Sequence, residues 1–566
     1  MAEPSASHRL PPWAAELRRR YLAGEAIQFL LHGNVHDLVP HAGAFVPLRR
    51  FLAEGLLASK DVVMFYDPAE GLAFARPEMR LAFLRGLNAR LMGQGRAAWE
   101  GELPTEPGRI LPLLEAYLLA PGQRAALVID YAEVVAPAAE LAFMSREDKA
   151  SLVTLLRWAK EPQLLAGDNL VVLVAETAAE IHRRILTSPQ VVPILVPRPD
   201  APEREALIAH RRTAQAFESE LDDATLARIT SGLRLLQLDH LFRQARQSGV
   251  AVDFALVAAK RKEIIETECQ GLVELIAGSH GLEAVGGMAG AKEVLLHTAQ
   301  AIRAGHGKHV PMGVMLVGPM GTGKSFLASA FARESGLTCL ALRNFRDKWV
   351  GSTEANLQKI LMMIQTMGSV MVVIDEVERA LGGEDGDSGT SSRIFATLKA
   401  FMADTRNRGR ILWLVMTNRP DKLDLDLKRP GRFDVKIPLF FPEGPEARAD
   451  VAQALVRKNG LVLEGLTPAE AVADLAGYSG AEIEAVLLLA DRFAGLAGRE
   501  VITREDLAAA VDDYIPNRDR DMIAFMELLA VFECSSRRLL PEAYRGVDTA
   551  ELQARLETLA SRLRLR

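Results

Sequence analysis

The chain has 566 residues, too many for one hydrophobic core, so roughly two to four domains are expected. Its composition, 49% hydrophobic and 25% charged, is that of a soluble globular protein, and a net charge of −6 weighs against non-specific nucleic-acid binding. Cys269, Cys339 and Cys534 form no C-x-x-C pair, no run of 18 apolar residues occurs, and Met1-Ala2-Glu3-Pro4 lacks the order of a secretory signal; a disulfide framework, a structural zinc site and a membrane span are not expected, and a cytoplasmic location is.

Residues 1–24 read as an N-terminal segment. The first predicted strand, residues 27–32, runs into Gly33-Asn34-Val35-His36-Asp37, a loop without G-K-[ST]. His32, His36 and His41 cluster here and read as loop histidines rather than metal ligands. Leu127-Val128-Ile129 leads into Asp130-Tyr131, and a further apolar run, residues 169–175, ends in Glu176. Each is a short apolar run of the kind buried in a parallel sheet.

The second half carries the chemistry. Val314-Met315-Leu316-Val317 precedes Gly318-Pro319-Met320-Gly321-Thr322-Gly323-Lys324-Ser325, and the helix-like stretch beginning at Phe326 comes next. This is G-x-x-x-x-G-K-[ST] between strand and helix. Small residues let backbone N–H groups wrap a phosphate chain at a helix N-terminus, which favours negative charge. Lys324 is expected to reach the β- and γ-phosphates, and Ser325 to bind Mg²⁺. A second apolar strand ends in Asp375-Glu376. Asp375 is expected to hold Mg²⁺ through water, and Glu376 to polarise the attacking water as general base. A third strand, from Ile411, runs into Thr417-Asn418, and Asn418 is the candidate to orient the water or contact the γ-phosphate.

Further motifs in the same order carry a family resemblance. Leu427-Lys428-Arg429-Pro430-Gly431-Arg432-Phe433-Asp434 resembles the arginine-finger segment of AAA ATPases. The resemblance implies that Arg429 and Arg432 reach the γ-phosphate held by a neighbouring subunit. Gly477-Tyr478-Ser479-Gly480-Ala481-Glu482-Ile483 resembles the signature of the AAA helical lid, with Gly480 and Ala481 at the nucleotide. Val285-Gly286-Gly287-Met288-Ala289-Gly290 resembles the segment that covers adenine, which adds Gly286 and Gly287 to the nucleotide-binding set. Pro319, Gly321, Thr322, Gly323 and Phe326 complete that set. Lys348-Trp349-Val350-Gly351 resembles the pore loop of AAA translocases, in which an aromatic residue grips an extended polypeptide; Trp349 would grip and Val350 would flank it. Residues 382–393, polar and glycine-rich, stand where such rings carry a second pore loop. Within them, and on to Phe395, Asp387-Ser388-Gly389-Thr390-Ser391-Ser392-Arg393 resembles the AAA proteins of cyanobacterial and chloroplast genomes, whose N-terminal half is a decayed second AAA module.

That resemblance has a counterpart inside the chain. Residues 192–207 parallel 436–449, residues 221–233 parallel 466–478, and residues 252–259 parallel 502–510, three matches in one order, which argues for duplication. The expected fold class is therefore α/β: a P-loop NTPase with a parallel sheet and an α-helical lid, preceded by a degenerate AAA-like α/β domain. The expected domains are residues 25–270 (the degenerate copy, assigned to ring assembly or substrate selection), 271–440 (large subdomain), 441–515 (helical lid) and 516–566 (a helical extension, with Leu552, Leu556, Leu559 and Leu563 at helical spacing).

The expected activity is Mg-ATP hydrolysis by a homo-hexamer that remodels or threads protein substrates through a central pore. The alternative is an ATP-controlled scaffold or switch. No histidine follows His309, so the H-E-x-x-H site of a zinc protease is not present after the P-loop. No interleaved basic and aromatic runs suggest a nucleic-acid partner.

Overall fold

The computed structural model describes residues 10–215, 217–269, 272–276, 278, 280–342, 354–367, 369–381, 389–429 and 431–564. The chain forms two compact units. The first is Met1–Arg261 with Thr353–Thr366, and the second is Lys262–Ser352 with Met367–Arg566.

In the first unit the apolar runs become the strands of one sheet. These are β1 (Gln28–Gly33), β4 (Val62–Asp67), β5 (Gly71–Phe74), β6 (Ala125–Ile129), β7 (Leu170–Ala175) and β8 (Val191–Val196), while β2 (Leu38–His41) and β3 (Ala44–Pro47) form a separate hairpin. The sheet order is β5-β4-β6-β7-β1-β8, parallel except at the β5 edge. Every residue of β6 and β7 is buried, as expected of strands covered by helices on both faces. The helix Pro12–Leu22 sets Trp13, Ala14 and Leu17 into this core, with the Trp13 ring edge-on to Phe51. The helices Ala201–Gln215, Asp223–Ile229, Leu235–Ser248 and Phe254–Glu268 come after β8.

The second unit has β9 (Val273–Ile276), β10 (Gly313–Val317), β11 (Thr338–Leu342), β12 (Val370–Ile374), β13 (Ile411–Thr417) and β14 (Val435–Pro438), in the order β14-β10-β13-β12-β11-β9. Only β9 runs antiparallel. The order reverses at β10, which has β11 to β13 on one side and β14 on the other, and this opens a crevice at the carboxyl ends of the strands. After β14 come Gly444–Asn459, Pro468–Ala471, Gly480–Leu496 and Arg504–Asp513, packed around Ile483, Val486, Leu487, Ile502 and Ala510. Reciprocal caps fix three helix starts: Thr467 with Glu470, Ser479 with Glu482, and Thr503 with Asp506. The tail forms the helices Arg520–Glu533 and Thr549–Arg562. Leu528, Val531 and Leu552 are buried there, and Leu556, Leu559 and Phe440 pack against them.

Candidate functional site

The cavity of about 900 Å³ at the carboxyl end of the second sheet is built around the loop that leaves β10. Gly318 is held so close to β14 that a Cβ there would stand 2.1 Å from the Leu439 carbonyl oxygen. Gly321 and Gly323 have φ of +81° and +84°, a region open to glycine at little cost. A Cβ on Gly321 would also meet the Ser479 hydroxyl at 2.7 Å. The loop thus needs its glycines both for its curl and for the approach of the lid. Ala481 N–H donates to the Gly321 carbonyl at 3.1 Å, which brings the start of the helix Gly480–Leu496 against the phosphate loop.

The helix Lys324–Ser335 begins directly after this curl. Lys324 is buried, and its ammonium donates to the carbonyls of Gly318 (2.8 Å) and Pro319 (2.7 Å), folding back over the loop. Burial pulls its pKa down to about 8, while Asp375 and Glu378 push the other way. Thr322 closes the loop with a 2.9 Å bond to the Pro319 carbonyl. Ser325 Oγ donates to Asp375 Oδ2 at 2.9 Å, so the hydroxyl and the carboxylate assigned to the cation are side by side. Glu376 comes next, in the left-handed region at φ +45°, and pairs with Arg379 at 2.7 Å. Asn418 lines the same cavity from the end of β13, and its buried Oδ1 has no hydrogen-bond partner among the described residues.

A nucleoside triphosphate with a divalent cation fits these residues. The glycines leave a cradle that side chains would fill, a lysine and a helix N-terminus supply positive potential, and the Asn418 oxygen is an orphan that a ligand would satisfy. Gly286, Gly287, Phe326, Gly480 and Ala481 all line the cavity. Gly286 has a steric reason as well, since a Cβ there would lie 2.4 Å from Val451 Cα. Pro319 acts through its carbonyl rather than as part of the wall.

The two arginines before β14 stand apart from this cavity and differ from each other. Arg432 is tied to its own loop through Asp426, at 2.5 Å to the carboxylate and 2.9 Å to the carbonyl. Arg429 is 74% exposed and only 3.6 Å from Asp426 at its nearest. Trp349, Val350 and residues 382–388 lie outside the described residues. Sequence reasoning assigned no role to several parts of the wall. Met288 occupies a left-handed turn at φ +54°, Lys458 sits 4.8 Å over the Phe326 ring, and Arg538 to Pro541, with Arg545, arrive from the tail. Nothing in the leucine spacing of the tail signals that last contribution.

Comparison with known proteins points to one family. Residues 314–440 match the family model "ATPase family associated with various cellular activities (AAA)". Residues 3–197 match the N-terminal Rossmann-like domain of AAA+ chaperones, and residues 202–270 match their second helical domain. The chain is 34% identical over 183 residues to Protein SAV of Sulfolobus acidocaldarius, covering 31% of this chain and 23% of that protein. It is 31% identical over 278 residues to the ATP-dependent zinc metalloprotease FtsH 1 of Salinibacter ruber (46% and 39%). It is 33% identical over 220 residues to the proteasome-activating nucleotidase of Methanocella arvoryzae (38% and 52%). The matched segments thus span from under a quarter to about half of the length of these relatives.

Proposed function

The chain belongs to the AAA+ ATPases, which use Mg-ATP, and from that premise we propose that it works as a homo-hexamer that hydrolyses ATP at subunit seams to remodel or thread protein substrates. The observation that carries this reading is the position of Arg429. One chain brings Lys324, Ser325, Asp375, Glu376 and Asn418 to one cavity, while Arg429 projects exposed from a loop that does not line it. An arginine so placed suits a neighbour's γ-phosphate, where it would stabilise transition-state charge. Within its own cavity the chain would grip the phosphates through Lys324 and the loop amides, hold Mg²⁺ through Ser325 and Asp375, and polarise water through Glu376. A Mg²⁺ ion held by Ser325 and Asp375 would supply charge neutralisation to the phosphates. Arg432, tied to Asp426, would set the shape of the loop that presents Arg429.

A protein substrate is supported by relatives named for ATP-dependent proteolysis and for proteasome activation. Trp349 and Val350 would meet that substrate in the pore. The division into a degenerate copy (25–270), a large subdomain (271–440), a lid (441–515) and an extension (516–566) belongs to the same proposal, as does a cytoplasmic site of action. No described helix is long and apolar enough to cross a membrane. The test is sedimentation together with turnover. Assembly with ATP into a ring that loses hydrolysis in Arg429→Ala, while still binding nucleotide, is expected; full-speed turnover by a monomer would overturn the seam. Capture of clients by Glu376→Gln, which binds ATP without splitting it, separates a remodeller from an ATP-controlled scaffold.

A further inference from the structure

The tail's contribution to the cavity wall lies outside the segments matched by the family models, which end at residue 440. Its position is fixed from one side. Ser535 N–H donates to the Lys436 carbonyl at 3.2 Å, and Lys436 N–H donates to Ser535 Oγ at 2.9 Å, so the segment leaving Arg520–Glu533 runs along β14. Glu533, 10% exposed, bridges Lys428 (2.5 Å) and Lys436 (2.9 Å). Two nearly buried lysines on one carboxylate make a rigid anchor. From there the chain turns into the cavity, and Leu539 packs against the first turn of the helix Ala289–Arg303, at the end of the segment that resembles the adenine cover: a Cβ on Gly290 would stand 3.3 Å from Leu539 Cδ2. This end of the cavity is an apolar slot of Val285, Met288, Val451, Leu455 and Leu539, far better suited to a flat ring than to phosphates.

Among the described residues four cations line this cavity, and three are engaged. Lys324 holds the carbonyls of Gly318 and Pro319, Lys458 pairs with Glu484 and covers the Phe326 ring, and Arg545 Nε donates to the Leu540 carbonyl. Arg538 lines the cavity beside Leu539 and has no hydrogen bond or ion pair among the described residues. We propose that the tail segment 533–545 is the base-side wall of the nucleotide site, with Arg538 laying its guanidinium on the purine ring. A planar, weakly hydrated guanidinium is the cation that stacks on an aromatic face. The proposal rests on the reading of this cavity as the ATP site. It adds a consequence: the segment that touches the base also holds Lys428, the residue next to Arg429, so the filling of one cavity bears on the loop offered to the neighbour.

Calorimetric titration of the full chain with Mg-ADP and, separately, with tripolyphosphate tests this. Tripolyphosphate probes the phosphate cradle alone. Arg538→Ala is expected to weaken ADP about tenfold and leave tripolyphosphate unchanged, whereas Lys324→Ala weakens both. Mg-ADP is also expected to slow tryptic cleavage after Arg537 and Arg538. Unchanged ADP affinity in Arg538→Ala, or an equal loss for tripolyphosphate, overturns the assignment of Arg538 to the base while leaving the ATP site standing. A wild-type chain that binds neither ligand would remove the ATP site and this inference together.

Discussion

The two units share one strand order and differ in the loops that leave the strands. Ignoring the antiparallel edge, β8-β1-β7-β6-β4 repeats β14-β10-β13-β12-β11 position for position. The likeness extends to backbone details. Gly33 and Gly318 each leave the first strand where a Cβ would strike the last strand, at 2.6 Å from the Val196 oxygen in one unit and 2.1 Å from the Leu439 oxygen in the other. Tyr131 and Glu376, each next to the aspartate that ends the third core strand, are both left-handed, at φ +52° and +45°. In the second unit this strained backbone presents a glutamate to a cavity; in the first it presents a half-exposed tyrosine whose ring lies 6.0 Å from that of His36.

The first unit also differs at the place that matches the second unit's glycine-rich loop. After Gly33 the chain makes a hairpin, Leu38–Pro47, where the second unit makes the helix Lys324–Ser335. Asp37, 3% exposed, accepts from Leu38 N–H (2.8 Å), Asn34 Nδ2 (2.7 Å), and the Leu235 (2.9 Å) and Leu236 (2.7 Å) amides at the start of the helix Leu235–Ser248. A carboxylate at a helix N-terminus is stabilising for the same reason that a phosphate is. The lid helix of the second unit is capped instead by Ser479 and leans on Gly321, leaving the cradle open. One unit carries a carboxylate at this place; the other leaves its cradle open.

The largest expected effect breaks the comparison at the seam. Arg429→Ala should reduce ATP turnover by about 10³–10⁵ with nucleotide affinity retained, measured by steady-state hydrolysis and calorimetry. Glu376→Gln should lower turnover by about 10²–10⁴, whereas Tyr131→Ala, at the matching position of the first unit, should leave it unchanged; a loss there would mean that the first unit contributes to the chemistry. Asp37→Ala should cost the first unit about 1–3 kcal/mol and speed hydrogen exchange at Leu235 and Leu236, leaving Mg-ADP affinity alone. If it instead creates a second nucleotide site in a Lys324→Ala background, the first unit is merely blocked rather than rebuilt.

The smallest effect concerns the matching aspartates. Burial, opposed by Arg49 and reinforced by Asp67, raises the Asp130 pKa from its ordinary 3.8 to about 6. A folded-state pKa above the unfolded one means that ionised Asp130 opposes folding. The penalty is present above about pH 6 and disappears as pH falls through about 6 towards 3.8. Asp130→Asn should therefore stabilise the first unit on the order of 1 kcal/mol at about pH 7 and hardly at all near pH 4, seen as a shift in melting temperature. Asp375, by contrast, stands exposed and accepts from the Ser325 hydroxyl.

Much of the second unit was legible in the residue order, because its phosphate loop is local. A strand, eight consecutive residues and a helix fix the cradle with few long-range contacts, and the apolar strand expected before Asp375-Glu376 is β12, Val370–Ile374. The first unit was harder to read, since it lacks the side chains that mark function and shares a backbone course that does not show in composition. The role of Asp37 could not be found that way, because its partners are 198 and 199 residues away. The tail misled for a related reason: leucines at helical spacing announce a helix face, but the residues that reach the cavity sit in the short turns between two helices.

Sequence alone carried the AAA resemblance and singled out the residues proposed for the phosphates, the cation and the general base, since glycine, lysine, hydroxyl and paired carboxylates at fixed spacing leave phosphate chemistry few alternatives. Tertiary structure decided the rest. It separated exposed Arg429 from tethered Arg432, buried the Asp37 carboxylate against the amides that start the helix Leu235–Ser248, and brought Arg538 to the wall of the cavity in the second unit. Each of these depends on which distant backbone amides, carbonyls and charges the fold brings within hydrogen-bonding distance, and local spacing carries no record of that.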